Sequence, residues 1–180
     1  MDRIKLHDKW FKLYKSAEEL DTAIQKVADK LNTDLKDVKE PIFLSVLSGS
    51  FMFTSDLMKK LDVVADLMFI KLSSYCGTTS TGEVKQIMGL NKSVEGRTVI
   101  VVEDIVETGN TIVELHKILK EAGASDIKIC TLLLKPNAYK KDINIDYAAL
   151  SIPDDFIVGY GLDYNDLGRQ YKDLYVIDQQ

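Results

Sequence analysis

At 180 residues, with 46% hydrophobic and 28% charged composition, the chain carries enough apolar material for one globular domain and too much for a disordered segment. A net charge of −5, from 23 basic against 28 acidic residues, argues against a broad basic face for nucleic acid, and no run approaches the roughly 18 apolar residues of a membrane span. Two cysteines, Cys76 and Cys130, give neither a disulfide framework nor a metal-ligand spacing; with a charged N-terminal stretch they indicate a cytoplasmic protein.

After a short polar arm, Ser16 and Glu19 match a capping box, and Leu20, Ala23, Ile24, Val27, Ala28 and Leu31 follow at helical spacing. Pro41 precedes a strand over 42–47, and Ser48-Gly49-Ser50 turns the chain into a helix over 51–61. A strand over 66–73 leads into a Gly/Ser/Thr stretch, 74–82, that is too polar to fold on itself and reads as a lid. Strands over 84–89 and 98–104 follow, then a helix over 110–122 with Gly123 at its C-cap, then a strand over 127–134 ending at Lys135-Pro136. Strands alternating with helices imply right-handed crossovers and a mainly parallel twisted sheet flanked by helices, an α/β fold. Short β-rich runs over 147–177 predict a small hood, drawn mainly from residues 136–180 with the N-terminal arm, inside a single domain spanning 1–180.

Residues 101–111, VVEDIVETGNT, place two adjacent carboxylates after a β-branched run and a small polar turn before a helix, which is the layout of an anion site. Ligands of open parallel sheets lie beyond the carboxyl ends of the strands, where Ser48-Gly49-Ser50, Glu103-Asp104 and Lys135 all fall. Packing alone explains the acidic pair poorly, since adjacent carboxylates at the end of a buried strand repel unless cations or hydroxyls meet them. For the others an ordinary role competes: helix capping for Thr108 to Thr111, a snorkelling surface lysine for Lys135, core for Phe156, a turn cap for Asp163 and an ion pair for Arg169. Two nucleotide motifs fail. Gly77 and Gly82 are spaced as in a phosphate-binding loop, but Glu83 and Val84 replace its Lys and Ser/Thr, and Gly159-Tyr160-Gly161 lacks the third glycine of a dinucleotide fingerprint.

The 101–111 motif closely resembles the phosphoribosyl-diphosphate signature of the type I phosphoribosyltransferases, in particular the hypoxanthine branch. Leu47, Ser48, Gly49 and Ser50 resemble the family's diphosphate loop, Ser74-Tyr75 with Ser80-Thr81-Gly82 its mobile catalytic loop, and the run from Phe156 to Tyr164 with Arg169 its base-binding hood. The resemblance implies the type I fold and transfer of 5-phosphoribosyl from phosphoribosyl diphosphate to N9 of hypoxanthine or guanine, with Mg2+ as cofactor. It assigns Glu103 and Asp104 to the ribose hydroxyls and, with Asp163, to the metal. Thr108, Gly109, Asn110 and Thr111 then take the 5-phosphate, Ile105 and Val106 join the substrate-binding residues, and Lys135, Phe156, Ile157, Asp163 and Arg169 contact the base or phosphates. Ser74 and Tyr75 would close over the substrates. It also implies a cis peptide at Leu47-Ser48. Exposed apolar helix faces would fit a homodimer or homotetramer, and charge and apolar run length leave no nucleic-acid or membrane partner.

Two positions depart from the family pattern. Glu107 stands where the family carries the Asp that takes the purine N7 proton; the acidities are nearly equal, but the extra methylene moves the carboxylate by about 1.5 Å. Ser48 stands where some members carry Lys, leaving backbone amides to bind diphosphate. A transferase preferring xanthine or guanine, and a phosphoribosyltransferase-fold regulator that senses nucleotides and binds RNA or DNA, are the alternative readings.

Overall fold

A computed structural model describes residues 2–74 and 84–178. Its centre is a six-stranded sheet, ordered β5-β4-β3-β6-β7-β8, built from β3 (Ile42–Val46), β4 (Asp66–Ser74), β5 (Val84–Met88), β6 (Thr98–Val106), β7 (Asp126–Leu134) and β8 (Tyr147–Ser151). All neighbours run parallel except β5, which closes one edge antiparallel to β4. Val99 to Val102 of β6 are wholly buried because helices cover both faces of the sheet, and this is why the strand reads as an unbroken apolar run. One face packs on α1 (Ala17–Asp34) and α2 (Phe51–Met58), whose Leu20, Ile24, Leu31 and Leu57 meet Phe43, Ile100 and Leu132. The other packs on α3 (Asn110–Glu121), whose Ile112, Leu115 and Leu119 meet Leu44, Val101 and Ile129.

The capping box at α1 is formed: Ser16 Oγ accepts from the Glu19 amide at 3.2 Å, and Glu19 accepts from the Ser16 amide at 2.9 Å. At the end of α3 the C-cap is Ala122, with Gly123 one position beyond in the left-handed region, φ +82°. β6 runs two residues further than its apolar stretch predicts, so Glu103 and Asp104 lie inside the strand, with Glu103 opposite Thr131.

The segment from Tyr147 divides differently from the sequence reading. Tyr147–Ser151 is the sixth strand of the main sheet, pairing Cys130 with Tyr147 and tied to α1 by the Tyr147 hydroxyl, which donates to Asp34 at 2.9 Å. The short polar arm at the N-terminus is regular structure within the hood. It forms the hairpin β1 (Arg3–Leu6) and β2 (Lys9–Lys15), which with β9 (Ile157–Val158) and β10 (Leu174–Ile177) makes a second, antiparallel sheet ordered β1-β2-β10-β9. Ile4, Leu6, Phe11, Val158 and Tyr175 form its own small core. In RIKLHDKWFKLYK only Ile4, Leu6 and Phe11 are buried and charges stand among them, so the apolar positions are too dilute to stand out as strands. Among the described residues no helix is long and apolar enough to cross a membrane.

Ile100 sits at the middle of the sheet with no exposed surface, so Ile100→Ala is expected to lower unfolding stability by about 2–5 kcal/mol. A guanidinium titration showing a shift of the midpoint at unchanged slope checks this.

Candidate active site

The carboxyl ends of the parallel strands β3, β6 and β7 lie along one edge of the main sheet, and the hood reaches that edge where Gly161 meets Gly49. At the end of β3 the Leu47 amide still bonds the Ile70 carbonyl at 2.8 Å; the next peptide, Leu47-Ser48, is cis, as the resemblance implies. Beneath this turn lies a chain of hydroxyls that sequence reasoning missed. Ser50 Oγ donates to the Val46 carbonyl at 2.6 Å, which leaves it to accept from Ser45 Oγ at 2.8 Å, which in turn accepts from Thr54 Oγ1 at 2.8 Å. All three are buried, and every proton has one destination, so strand, turn and α2 are locked together. The signal was Ser45 itself, a serine inside the otherwise apolar strand IFLSV.

Gly49 meets the acidic pair: a Cβ there would lie 1.4 Å from Asp104 Oδ2, so the carboxylate rests directly on the glycine backbone. Glu103 is buried, and its Oε2 has no hydrogen-bond partner among the described residues. Burial, with the Asp104 charge second, raises the Glu103 carboxyl well above the usual range. Asp104 is pushed up to about 6 by burial, against the pull of the Ile105 amide, which it accepts at 2.7 Å, and of Arg169. An unpartnered buried carboxylate oxygen beside a second carboxyl is a poor structural feature and a good receptor for hydroxyls or a cation.

Beyond the pair, α3 begins at Gly109, whose φ of +79° suits glycine and whose missing side chain makes room for Tyr139, 2.4 Å from where a Cβ would stand. Among the described residues no side chain, Thr108 included, caps the helix, so the amides of Asn110, Thr111 and Ile112 have no side-chain acceptor there. Glu103, Ile105 to Thr111 and Ile112 line a cleft of about 140 Å3 around these free amides, with a dipole that favours an anion. Ile105 and Val106 contribute backbone here, since their side chains turn into the two cores.

Lys135 continues the β7 edge through its amide, which donates to Val106 at 2.9 Å, and is itself buried. It does not snorkel to solvent: Nζ donates to Glu107 Oε1 in a close ion pair at the crevice wall. In the hood, Phe156 leaves 44% of its surface open and sets its other side against Phe11 and Tyr164, at 6.2 and 5.8 Å between centroids. Ile157 beside it points into the core. Asp163 and Arg169 pair with each other at 2.7 Å; Asp163 also caps its turn at the Asp166 amide, and Arg169 donates to the Gly161 carbonyl. Gly161, φ +101°, lies against the Gly49 carbonyl with no room for a Cβ, which brings the hood onto the turn after β3. Tyr160 adds a second tie by donating to Asp56 of α2. Ser74 ends β4, while Tyr75 and the rest of the expected lid fall outside the described residues. Among those described, no three metal-binding side chains converge, so Glu103, Asp104 and Asp163 form no protein-only cage.

A parallel sheet with an acidic strand end facing an uncapped helix N-terminus is the build of a sugar-phosphate-binding α/β protein. A phosphoribosyl transferase domain model matches residues 14–165. The chain is 43% identical over 150 residues to a Staphylococcus aureus hypoxanthine-guanine phosphoribosyltransferase, covering 84% of it. It superposes on a hypoxanthine phosphoribosyltransferase structure from S. aureus with a TM-score of 0.86 at 37% identity, covering 93% of this chain and 91% of that one. For the Trypanosoma cruzi hypoxanthine phosphoribosyl transferase the TM-score is 0.88 at 34% identity, with 97% and 95% covered. The bifunctional TilS/HprT proteins of Listeria monocytogenes, 39% identical over 170 residues, are much longer, and the chain spans 26% of their length. The chain belongs to the phosphoribosyltransferase family, in its hypoxanthine-guanine branch.

The raised Asp104 carboxyl has a consequence for stability. A carboxyl that binds its proton more tightly when folded stabilises the fold fully below its unfolded value near 3.8 and loses that contribution as pH rises through about 6. In the metal-free, substrate-free protein, Asp104→Asn is therefore expected to be neutral near pH 4 and stabilising by up to about 3 kcal/mol above pH 7. Melting both proteins across that window tests it; a constant difference would refute the assignment.

Proposed function

We propose that the chain is a cytoplasmic purine-salvage enzyme that transfers 5-phosphoribosyl from phosphoribosyl diphosphate to N9 of hypoxanthine or guanine, releasing diphosphate. The observation that carries this is the Lys135–Glu107 pair: a buried cation and a carboxylate set side by side at the strand ends. A 6-oxopurine offers their complement, an acceptor at O6 and a titratable proton at N7, whereas the amino group of a 6-aminopurine would face the Lys135 ammonium donor to donor. Glu107 reaches Lys135 despite its extra methylene, so the substitution leaves donor and acceptor adjacent.

In this reading the open face of Phe156 stacks on the purine ring and Lys135 donates to O6. Glu107 takes the N7 proton as N9 bonds to C1 of the sugar. The uncapped amides from Asn110 to Ile112 hold the 5-phosphate, and the amides of the Ser48-Gly49-Ser50 turn hold the diphosphate, with no lysine at Ser48 to assist. Glu103 and Asp104 accept the ribose hydroxyls and stabilise positive charge growing at C1, an effect worth several kcal/mol in comparable sites. Arg169, released from Asp163, would be free for a bidentate phosphate contact. Ser74 and Tyr75 are assigned the part of a lid that excludes water.

The donor set suits Mg2+, which is commonly held by one or two carboxylates together with waters and substrate phosphates. The unpartnered Oε2 of Glu103 and the elevated Asp104 carboxyl both favour a cation there, with Asp163 as the hood's contribution. Bound, the metal would neutralise charge on the departing diphosphate. Leu67 and Phe69 of β4, both exposed, suit a homodimer or homotetramer; the free Cys130 agrees with a reducing compartment.

The test is diphosphate release from phosphoribosyl diphosphate with each of hypoxanthine, guanine, xanthine and adenine, in wild type and Glu107→Gln. Turnover with hypoxanthine or guanine is expected, and the substitution should lower kcat by about 100-fold while moving KM by less than about threefold. Equal kcat in the two proteins would remove Glu107 as the base, and release with adenine alone would overturn the 6-oxopurine assignment.

A further inference from the structure

We infer that the tip of the N-terminal hairpin, His7-Asp8-Lys9, is a positioning element of the purine site, clamping the Tyr164–Leu167 turn and through it the segment that carries Phe156, Asp163 and Arg169. This rests on the proposed function for its substrate, although the contacts themselves do not.

Tyr164 and Leu167 bond each other's backbone in both directions, at 2.8 and 3.2 Å, which makes the segment a two-residue hairpin with Asn165 and Asp166 at its corner. Both corner residues have positive φ, +48° and +69°, as this type of turn demands. Glycine is the usual choice there; Asn and Asp tolerate the conformation at a cost and hold it when the surroundings insist. The surroundings here are the first hairpin. His7 Nε2 donates to the Asn165 carbonyl at 3.1 Å, and the Tyr164 hydroxyl donates to Asp8 Oδ1 at 2.9 Å. Lys9 Nζ lies 5.1 Å over the Tyr164 ring, whose edge also meets the His7 ring at 5.6 Å. The same Tyr164–Asp8 bond draws the Asp8 carboxyl below its ordinary range and the Tyr164 phenol above its own. One turn further on, Gly168 at φ +108° leaves no space for a side chain against Leu6 of β1.

The clamp touches the base site twice. Tyr164 stands edge-on to Phe156, at 82° between planes, and Phe11 of β2, wholly buried, backs the same ring. Asp163 and Arg169 flank the clamped turn and pair across it. None of these contacts reaches the turn after β3 or the N-terminus of α3, where the phosphates are placed. An element that braces Phe156 through Tyr164 and Phe11, and touches neither the turn after β3 nor α3, fits a tuner of purine affinity.

The experiment compares Asp8→Ala, Tyr164→Phe and Asp8→Asn with wild type in full steady-state kinetics on hypoxanthine, with hydrogen exchange of residues 163–169 as a second readout. Asp8→Ala and Tyr164→Phe each lose one hydrogen bond. They should raise the purine KM about five- to tenfold, leave kcat within about twofold and the phosphoribosyl diphosphate KM within about threefold, and speed exchange at the Tyr164 and Leu167 amides. Asp8→Asn keeps an acceptor oxygen and should restore wild-type values. Unchanged purine KM with unchanged exchange, or equal losses in kcat and both KM values, would overturn the inference. If wild type turns over neither hypoxanthine nor guanine, the proposed function fails instead, and the exchange comparison alone decides the clamp.

Discussion

Two carboxylic acids in sequence at the end of a buried central strand are the constraint around which this molecule is arranged. Glu103, opposite Thr131, and Asp104 lie within β6 directly after its buried apolar run. Their burial costs free energy that neither hydrogen bonds nor counter-charges in the described structure repay in full: Glu103 Oε2 has no partner, and both carboxyls titrate upward. A fold tolerates such a pair when the missing partners arrive with a ligand. The adjacent glycine at 49, the uncapped start of α3 and the left-handed Gly109 open room and donors around that position, each at a small local expense in stability.

The other half of the site comes from the hood, whose Ile157, Tyr160, Leu162, Leu174 and Val176 are buried in one core with α1 and α2. Gly161 against the Gly49 carbonyl and Tyr160 to Asp56 fix the hood above the turn after β3. Arg169 is held by Asp163 and by the Gly161 carbonyl. Charges proposed to meet phosphate or metal are thus paired with one another, as Lys135 is with Glu107. Internal pairing spares the protein the cost of isolated charges in a partly desolvated crevice, and substrate must exchange these partners for its own.

Much of this was legible in the sequence, and what was legible had a strong local signal. The apolar run of β6, the capping box of α1 and the heptad-like stripe of α3 each state their structure within a dozen residues. The acidic pair and the Thr-Gly-Asn-Thr turn could be placed because a parallel sheet fixes where ligands bind. The hairpin of residues 3–15 was missed, because its buried positions alternate with charges and its sheet is completed from the far end of the chain. Tyr147–Ser151 was assigned to the hood for a similar reason: only a long-range pairing with β7 reveals it as an edge strand. The hydroxyl chain under the Ser48-Gly49-Ser50 turn is invisible to periodicity, as it depends on which way three small side chains face.

The central claim, that the strand-end carboxyls wait in partly protonated form for hydroxyls and a cation, is tested most directly by infrared difference spectroscopy at about pH 6, where Asp104 is near its midpoint. On adding magnesium phosphoribosyl diphosphate, the carbonyl band of protonated carboxyl should diminish as carboxylate bands grow, and the change should shrink in Asp104→Asn. A spectrum with no loss of protonated carboxyl on saturation, or the same loss in wild type and variant, would contradict the account.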